Sequence, residues 1–197
     1  MDTIDKIVAA VLYEGYVLWP YRRSAMKNQR RWTFGGVYPR AYSEASGDSD
    51  TWSMQTQCLV VGEDPIVTVR VRFLHVVDRQ VARRDAAGGL VFVDKLHIGK
   101  DRYLAWEEAI EHEVEVPHLR PAALPSPLRM PIEIAAGSSE EPLQDPAGAV
   151  VGALVRSWRG LRGEVELAGE PVHPGVFMAT VKVSNTTRWS GQDHESP

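Results

Sequence analysis

IVTVRVRFLHVV, residues 66–77, alternates with a period of two. Val67, Val69, Val71 and Phe73 fall on one side and Thr68, Arg70, Arg72 and Leu74 on the other. Successive side chains of a strand point to opposite faces, so this pattern predicts a half-buried strand with a polar outer face. The same reading extends outward. TQCLVV within 54–61 predicts a short strand, RRDAAGG (83–89) a hairpin-like loop, and LVFVDKLHI (90–98) the returning strand. Near the far end, VFMATVKVSNTT (176–187) alternates again, with Val176, Met178, Thr180 and Lys182 opposite Phe177, Ala179, Val181 and Val183. IEI (132–134) and GALVRSWRGLRGEVELAG (152–169) also carry β signals, and AAGSSEEPLQDPAG between them predicts a loop.

Two segments break the alternation. Residues 3–19 place Ile4, Ile7, Val8, Val11, Leu12, Leu18 and Trp19 near one stripe at helical spacing, and Pro20 ends the run. An amphipathic helix packed on its own domain's core is expected there. Residues 101–116, DRYLAWEEAIEHEVEV, are ambiguous: Tyr103, Trp106 and Ile110 suit a helix face, whereas HEVEV alternates. Residues 117–131 hold five of the 13 prolines and predict an extended linker. The expected fold is therefore mainly β, of the α+β kind. An N-terminal helix and antiparallel sheet fill 1–116, the linker fills 117–131, and a small β-sandwich-like domain fills 132–197. The chain stops soon after its last strand, so that sandwich is expected to be incomplete, truncated or finished by another chain.

Composition narrows the class of function. The 197 residues are 44% apolar and 24% charged, with a formal charge of −4. That balance gives no global attraction to nucleic acid. The single cysteine, Cys58, allows no internal disulfide, and its apolar strand setting predicts a buried, inert thiol. The first residues carry acids where a secretory leader is basic, and their apolar run is shorter than the about 20 residues that span a bilayer. A cytoplasmic location without a membrane span is expected.

No P-loop, G-x-S-x-G, G-x-G-x-x-G or H-E-x-x-H pattern is present. The six histidines are scattered. His75, His97 and either Glu108 or His112 form the one constellation that could serve a metal-dependent enzyme, and a bare packing role for them is the simpler reading. No catalytic residue, metal ligand or cofactor is assigned.

The oddest stretch is YRRSAMKNQRRWTFGGVYPRAY, residues 21–42. Five basic residues and no acid lie between Arg22 and Arg31, among aromatic rings. Tyr21, Arg22, Arg23, Lys27, Arg30, Arg31, Trp32 and Phe34 are the candidate partner-binding residues, because Arg, Trp and Tyr dominate the energy of protein interfaces. Two other readings stay open: internal pairing of these arginines with the acidic 101–116 stretch, and phosphate binding with base stacking.

VLYEGYVLWPYRRSAMKNQRRWTFGGVYP (11–39), TWSMQTQCLV (51–60), VTVRVRFLHVV (67–77) and, more weakly, VKVSNTT (181–187) resemble a bacterial family associated with accessory proteins of actinobacterial-type nickel–iron hydrogenases. The resemblance implies a role in hydrogenase assembly, with a hydrogenase subunit or another accessory factor as partner. It supplies no catalytic residues. Members of that family continue past the point where this chain ends. With one Cys and scattered His, a scaffold or chaperone role fits better than metal carriage.

Overall fold

A computed structural model describes residues 3–14, 36–47, 50–124 and 126–190. The chain is mainly β, with antiparallel sheets and a short N-terminal helix. Helix α1 (Thr3–Glu14) is followed by α2 (Arg40–Ala45). The strands are β1 (Ser53–Val61), β2 (Val67–Arg84), β3 (Leu90–Val93), β4 (Lys95–Ile98), β5 (Asp101–Leu104) and β6 (Trp106–Leu119). After a 3-10 turn at Pro121–Ala123 come β7 (Leu128–Ile134), β8 (Gly137–Gln144), β9 (Val150–Trp158), β10 (Leu161–His173) and β11 (Val176–Asn185).

The chain forms two compact units, each assembled from separated stretches of sequence. One comprises Met1–Phe73, Glu113–Glu133 and Arg162–Pro197; the other comprises Leu74–His112 and Ile134–Leu161. This replaces the expected division into 1–116 and 132–197. The reason lies in strand pairing: β1, from the first half of the sequence, pairs along its whole length with β11, from Ser53 opposite Ser184 to Val61 opposite Val176. The expected linker at 117–131 is likewise occupied by structure. It contains the end of β6, the 3-10 turn and the start of β7.

The first unit holds a four-stranded sheet in the order β1-β11-β10-β7. β10 alternates strictly, burying Gly163, Val165, Leu167 and Gly169 and turning Glu164 and Glu166 outward. Those two glutamates face Arg129 of β7, with Glu166 at 2.9 Å. Ile132, Val116, Leu119 and Pro121 are also buried in this unit. β11, expected to end an unfinished sandwich, is flanked on both sides by β1 and β10.

The second unit holds the order β3-β2-β9-β8, with β6 also paired to β2 and with a separate β4-β5 hairpin. Its core is Val81, Ile98, Leu143 and Leu154, packed by Val93, Leu96, Tyr103 and Val151. Two hairpins are closed by the same device. In the β2–β3 turn, Asp85 Oδ1 accepts hydrogen bonds from the N–H groups of Ala87 and Gly89. In the β8–β9 turn, Asp145 Oδ1 accepts from Ala147 and Ala149. A glycine in the left-handed region follows each aspartate, Gly88 at φ 85° and Gly148 at φ 87°.

Candidate functional site: exposed contact surfaces

α1 shows its apolar residues to solvent. Ile7 is 59% exposed and Val11 67%, with Val8 also exposed. The expectation that this stripe packs into its own core is not met at these positions. An open cleft of about 730 Å³ lies between Ile7, Val8, Val11 and Leu12 on one wall and rungs of β2 and β6 on the other. The strand wall is charged but internally matched: Arg70 meets Glu115 at 2.6 Å and Arg72 meets Glu113 at 3.6 Å. These pairs step in opposite directions along the two strands, as antiparallel partners do. The cleft is thus apolar on one side and neutralised on the other.

Of the residues expected to bind a partner, Tyr21, Arg22, Arg23, Lys27, Arg30, Arg31, Trp32 and Phe34 all lie outside the described residues. The chain that follows them is firmly anchored. Tyr38 stacks on Tyr42 with ring centroids 5.3 Å apart, and Tyr42 meets the edge of Trp189 at 5.4 Å. The Arg40 guanidinium lies 4.8 Å from the Trp52 ring, and the Lys182 ammonium lies on the same ring at 5.6 Å. Asn185 donates to the Val37 carbonyl at 2.9 Å, tying this segment to the end of β11.

The acidic stretch 101–116 is strand throughout its second half, and it draws its cations from other strands. Glu108 receives Arg79 at 2.7 Å and Arg156 at 2.7 Å, and Arg156 also reaches Glu141. Trp106 donates its indole N–H to Glu108 and lies beneath the Arg79 guanidinium. Burial pushes the Glu108 carboxyl up, but hydrogen bonds from Arg156 and Trp106 and the charges of both arginines outweigh it, leaving Glu108 below the usual carboxylate range. A carboxylate so engaged is not poised to hold a metal. His75 is brought to His112, not to His97: the His75 and His112 ring centroids are 5.6 Å apart. His97 instead lines an open cleft whose wall also includes Arg83, Arg84, Asp85 and Asp145. Among the described residues, no group of three or more His, Cys, Asp or Glu is arranged to hold a metal ion.

His75 is 7% exposed, and its Nδ1 has no hydrogen-bond partner among the described residues. Burial and the neighbouring His112 hold its pKa below the ordinary 6.5, against a hydrogen bond to the Arg159 backbone. The sign for stability follows directly. The unfolded chain takes up this proton first, so the folded state carries no penalty above about 6.5. It loses stability as pH falls from there toward the lower folded value. His75→Phe should therefore flatten the stability–pH curve below about pH 6.5. An unchanged slope in His75→Phe would place the proton uptake elsewhere.

Cys58, expected to be buried, is exposed on β1. Its neighbours Met54, Leu59 and Val61 are exposed as well, Val61 at 76%. The apolar sequence context was a poor guide because β1 is an outer strand whose side chains are open on both faces. Against protein-family models, curated protein sequences and solved structures, the chain has no match.

Proposed function

We propose that this chain is a non-catalytic accessory or scaffold protein that works by contact with a protein partner through α1 and the basic, aromatic residues 21–34 that follow it. The observation that carries this reading is the exposure of Ile7, Val8 and Val11 on a helix leading into that segment. Apolar side chains left in water gain free energy on burial against a partner, and an adjoining arginine cluster speeds encounter with an acidic surface. The resemblance, and nothing else, names the partner class: a nickel–iron hydrogenase subunit or a factor that helps assemble one.

The test uses the full chain as bait in its native host. Ile7→Asp with Val11→Asp, and separately Arg30→Gln with Arg31→Gln, should each deplete a specific captured protein at least about fivefold, with unchanged thermal unfolding. Equal capture by wild type and both variants overturns the reading. Retention on nucleic acid that collapses with added salt would redirect it to the phosphate-binding alternative.

A further inference from the structure

β1 is the outer strand of its sheet, and among the described residues no strand pairs with its free edge. The hydrogen-bond phase of that edge can be read from the two ends of the β1–β11 ladder. Asn185 donates to the Trp52 carbonyl at one end, and Gly62 donates to the Gly175 carbonyl at the other. Antiparallel pairs alternate between bonded and non-bonded, and the register has no shift between these ends. The even-numbered residues of β1 therefore spend their backbone groups on β11. Ser53, Gln55, Gln57, Leu59 and Val61 aim their N–H and C=O groups outward.

Natural edges are blunted by lysine, proline, bulges or covering loops. This one has none of those within the strand: SMQTQCLVV contains no charge and no proline. The geometry points to a symmetric dimer of this chain, formed by antiparallel pairing of β1 with β1 of a second copy about a two-fold axis at Gln57. In that register Gln57 meets Gln57, Gln55 meets Leu59 and Ser53 meets Val61, so every outward residue meets another outward residue. Shifting the register by one rung in either direction leaves a terminal outward residue without a partner in the strand. A one-residue slip sets outward groups against inward ones and breaks the ladder.

The ends of the strand agree with this arrangement. The Trp52 end carries Lys182 and Arg40 over the indole, Arg40 being also paired with Glu44, and Asp50 there is engaged by Tyr42. The far end carries exposed Glu63 and Asp64, the latter paired with Arg120 at 3.0 Å. Two-fold pairing sets residue 52 opposite residue 62 of the second copy, so a charge-balanced flank meets an acidic one and no like charges oppose within the ladder. The result is one continuous sheet made from two four-stranded ones. This inference is independent of the proposed contact through α1.

Sedimentation of the full chain over a range of concentrations should show a monomer–dimer equilibrium. Gln57→Lys sets two ammonium groups against each other at the axis and should raise the dissociation constant about tenfold or more. Leu59→Pro removes an outward N–H while sparing the β1–β11 ladder, and should abolish the dimer with little loss of monomer stability. Thr56 and Cys58 face each other across the axis as a non-bonded pair, so Thr56→Cys should give a disulfide-linked dimer on mild oxidation. Wild type, whose Cys58 residues are offset, should link far more slowly. A monomer at all concentrations, or a dimer untouched by Gln57→Lys and Leu59→Pro, overturns the proposal. Equal crosslinking through Cys58 alone overturns the register. Amide protection at Gln57 and Leu59 that does not vary with concentration would show the edge covered within one chain, and would also overturn it.

Discussion

Gly169→Ala is expected to destabilise the chain by about 3 kcal/mol or more, since overpacking against rigid neighbours is strongly unfavourable. Gly169 lies on the buried face of β10, in line with Val165 and Leu167. A Cβ built there overlaps the carbonyl oxygen of Pro121 and comes within 2.7 Å of the Pro121 Cα. These are backbone atoms of a residue whose ring fixes φ, so nothing flexible can give way. Either β10 or the 3-10 turn must move, and both belong to the buried layer of the first unit. The informative control is Gly148→Ala. That glycine sits at φ 87° with open space around its missing Cβ, so only the left-handed backbone is penalised, by about 1 kcal/mol. Urea denaturation of the two variants checks the order. A Gly169→Ala midpoint equal to that of wild type would show that the turn is soft.

Glu108→Ala should cost about 2 kcal/mol. Removing one partner of a buried ion pair typically costs about 3–5 kcal/mol, because a charge is stranded away from water. Here the discount for solvent matters, since the side chains of Arg79, Glu108 and Arg156 are 16%, 24% and 26% exposed. Against that, one deletion strands two guanidinium groups. Arg79 keeps the Leu104 carbonyl at 3.0 Å and the Trp106 ring, and Arg156 keeps Glu141. Glu141→Ala removes a carboxylate that is 56% exposed and should cost well under about 1 kcal/mol. The pH signature separates this role from a packing role. Because the folded Glu108 pKa is depressed, its contribution is present above about 4.5 and lost as pH falls through the lower folded value. Glu108→Ala should remove that acid limb, leaving the His75 limb, which begins below about pH 6.5, in place.

The strands with clean alternation, 66–77 and 176–187, were legible from their period of two; β2 alternates in burial as well, whereas β11, held between β1 and β10, is half-buried along its whole length. β6 was half legible. Its apolar residues fall at helical spacing, but Glu108, Glu113 and Glu115 are matched by Arg79, Arg72 and Arg70 of β2, and that cross-strand matching is invisible to a local window. β8 (GSSEEPLQ) reads as a loop by propensity. It is strand because β9 offers it a ladder from Gly137 opposite Trp158 onward, with Leu143 as its one buried side chain. Proline-rich composition suggested a linker, yet Pro117 and Pro131 sit in strands. Of the histidines, the sequence offered no means of choosing His112 over His97 as the neighbour of His75. The exposed edge of β1 was hidden for the same reason. Whether TQCLVV is central or peripheral depends on a partner far along the chain.

That distance has a bearing on how the protein is made. Gln57 hydrogen-bonds to Thr180 across 123 positions of sequence. At ribosomal speeds, β1 emerges on the order of ten seconds before β11 exists to receive it. The β8–β9 hairpin, with its aspartate-capped turn, can close at once; β1 must wait, uncharged and unpaired. In the nascent chain both of its edges are open until β11 arrives, which leaves residues 53–61 exposed to off-pathway pairing during synthesis.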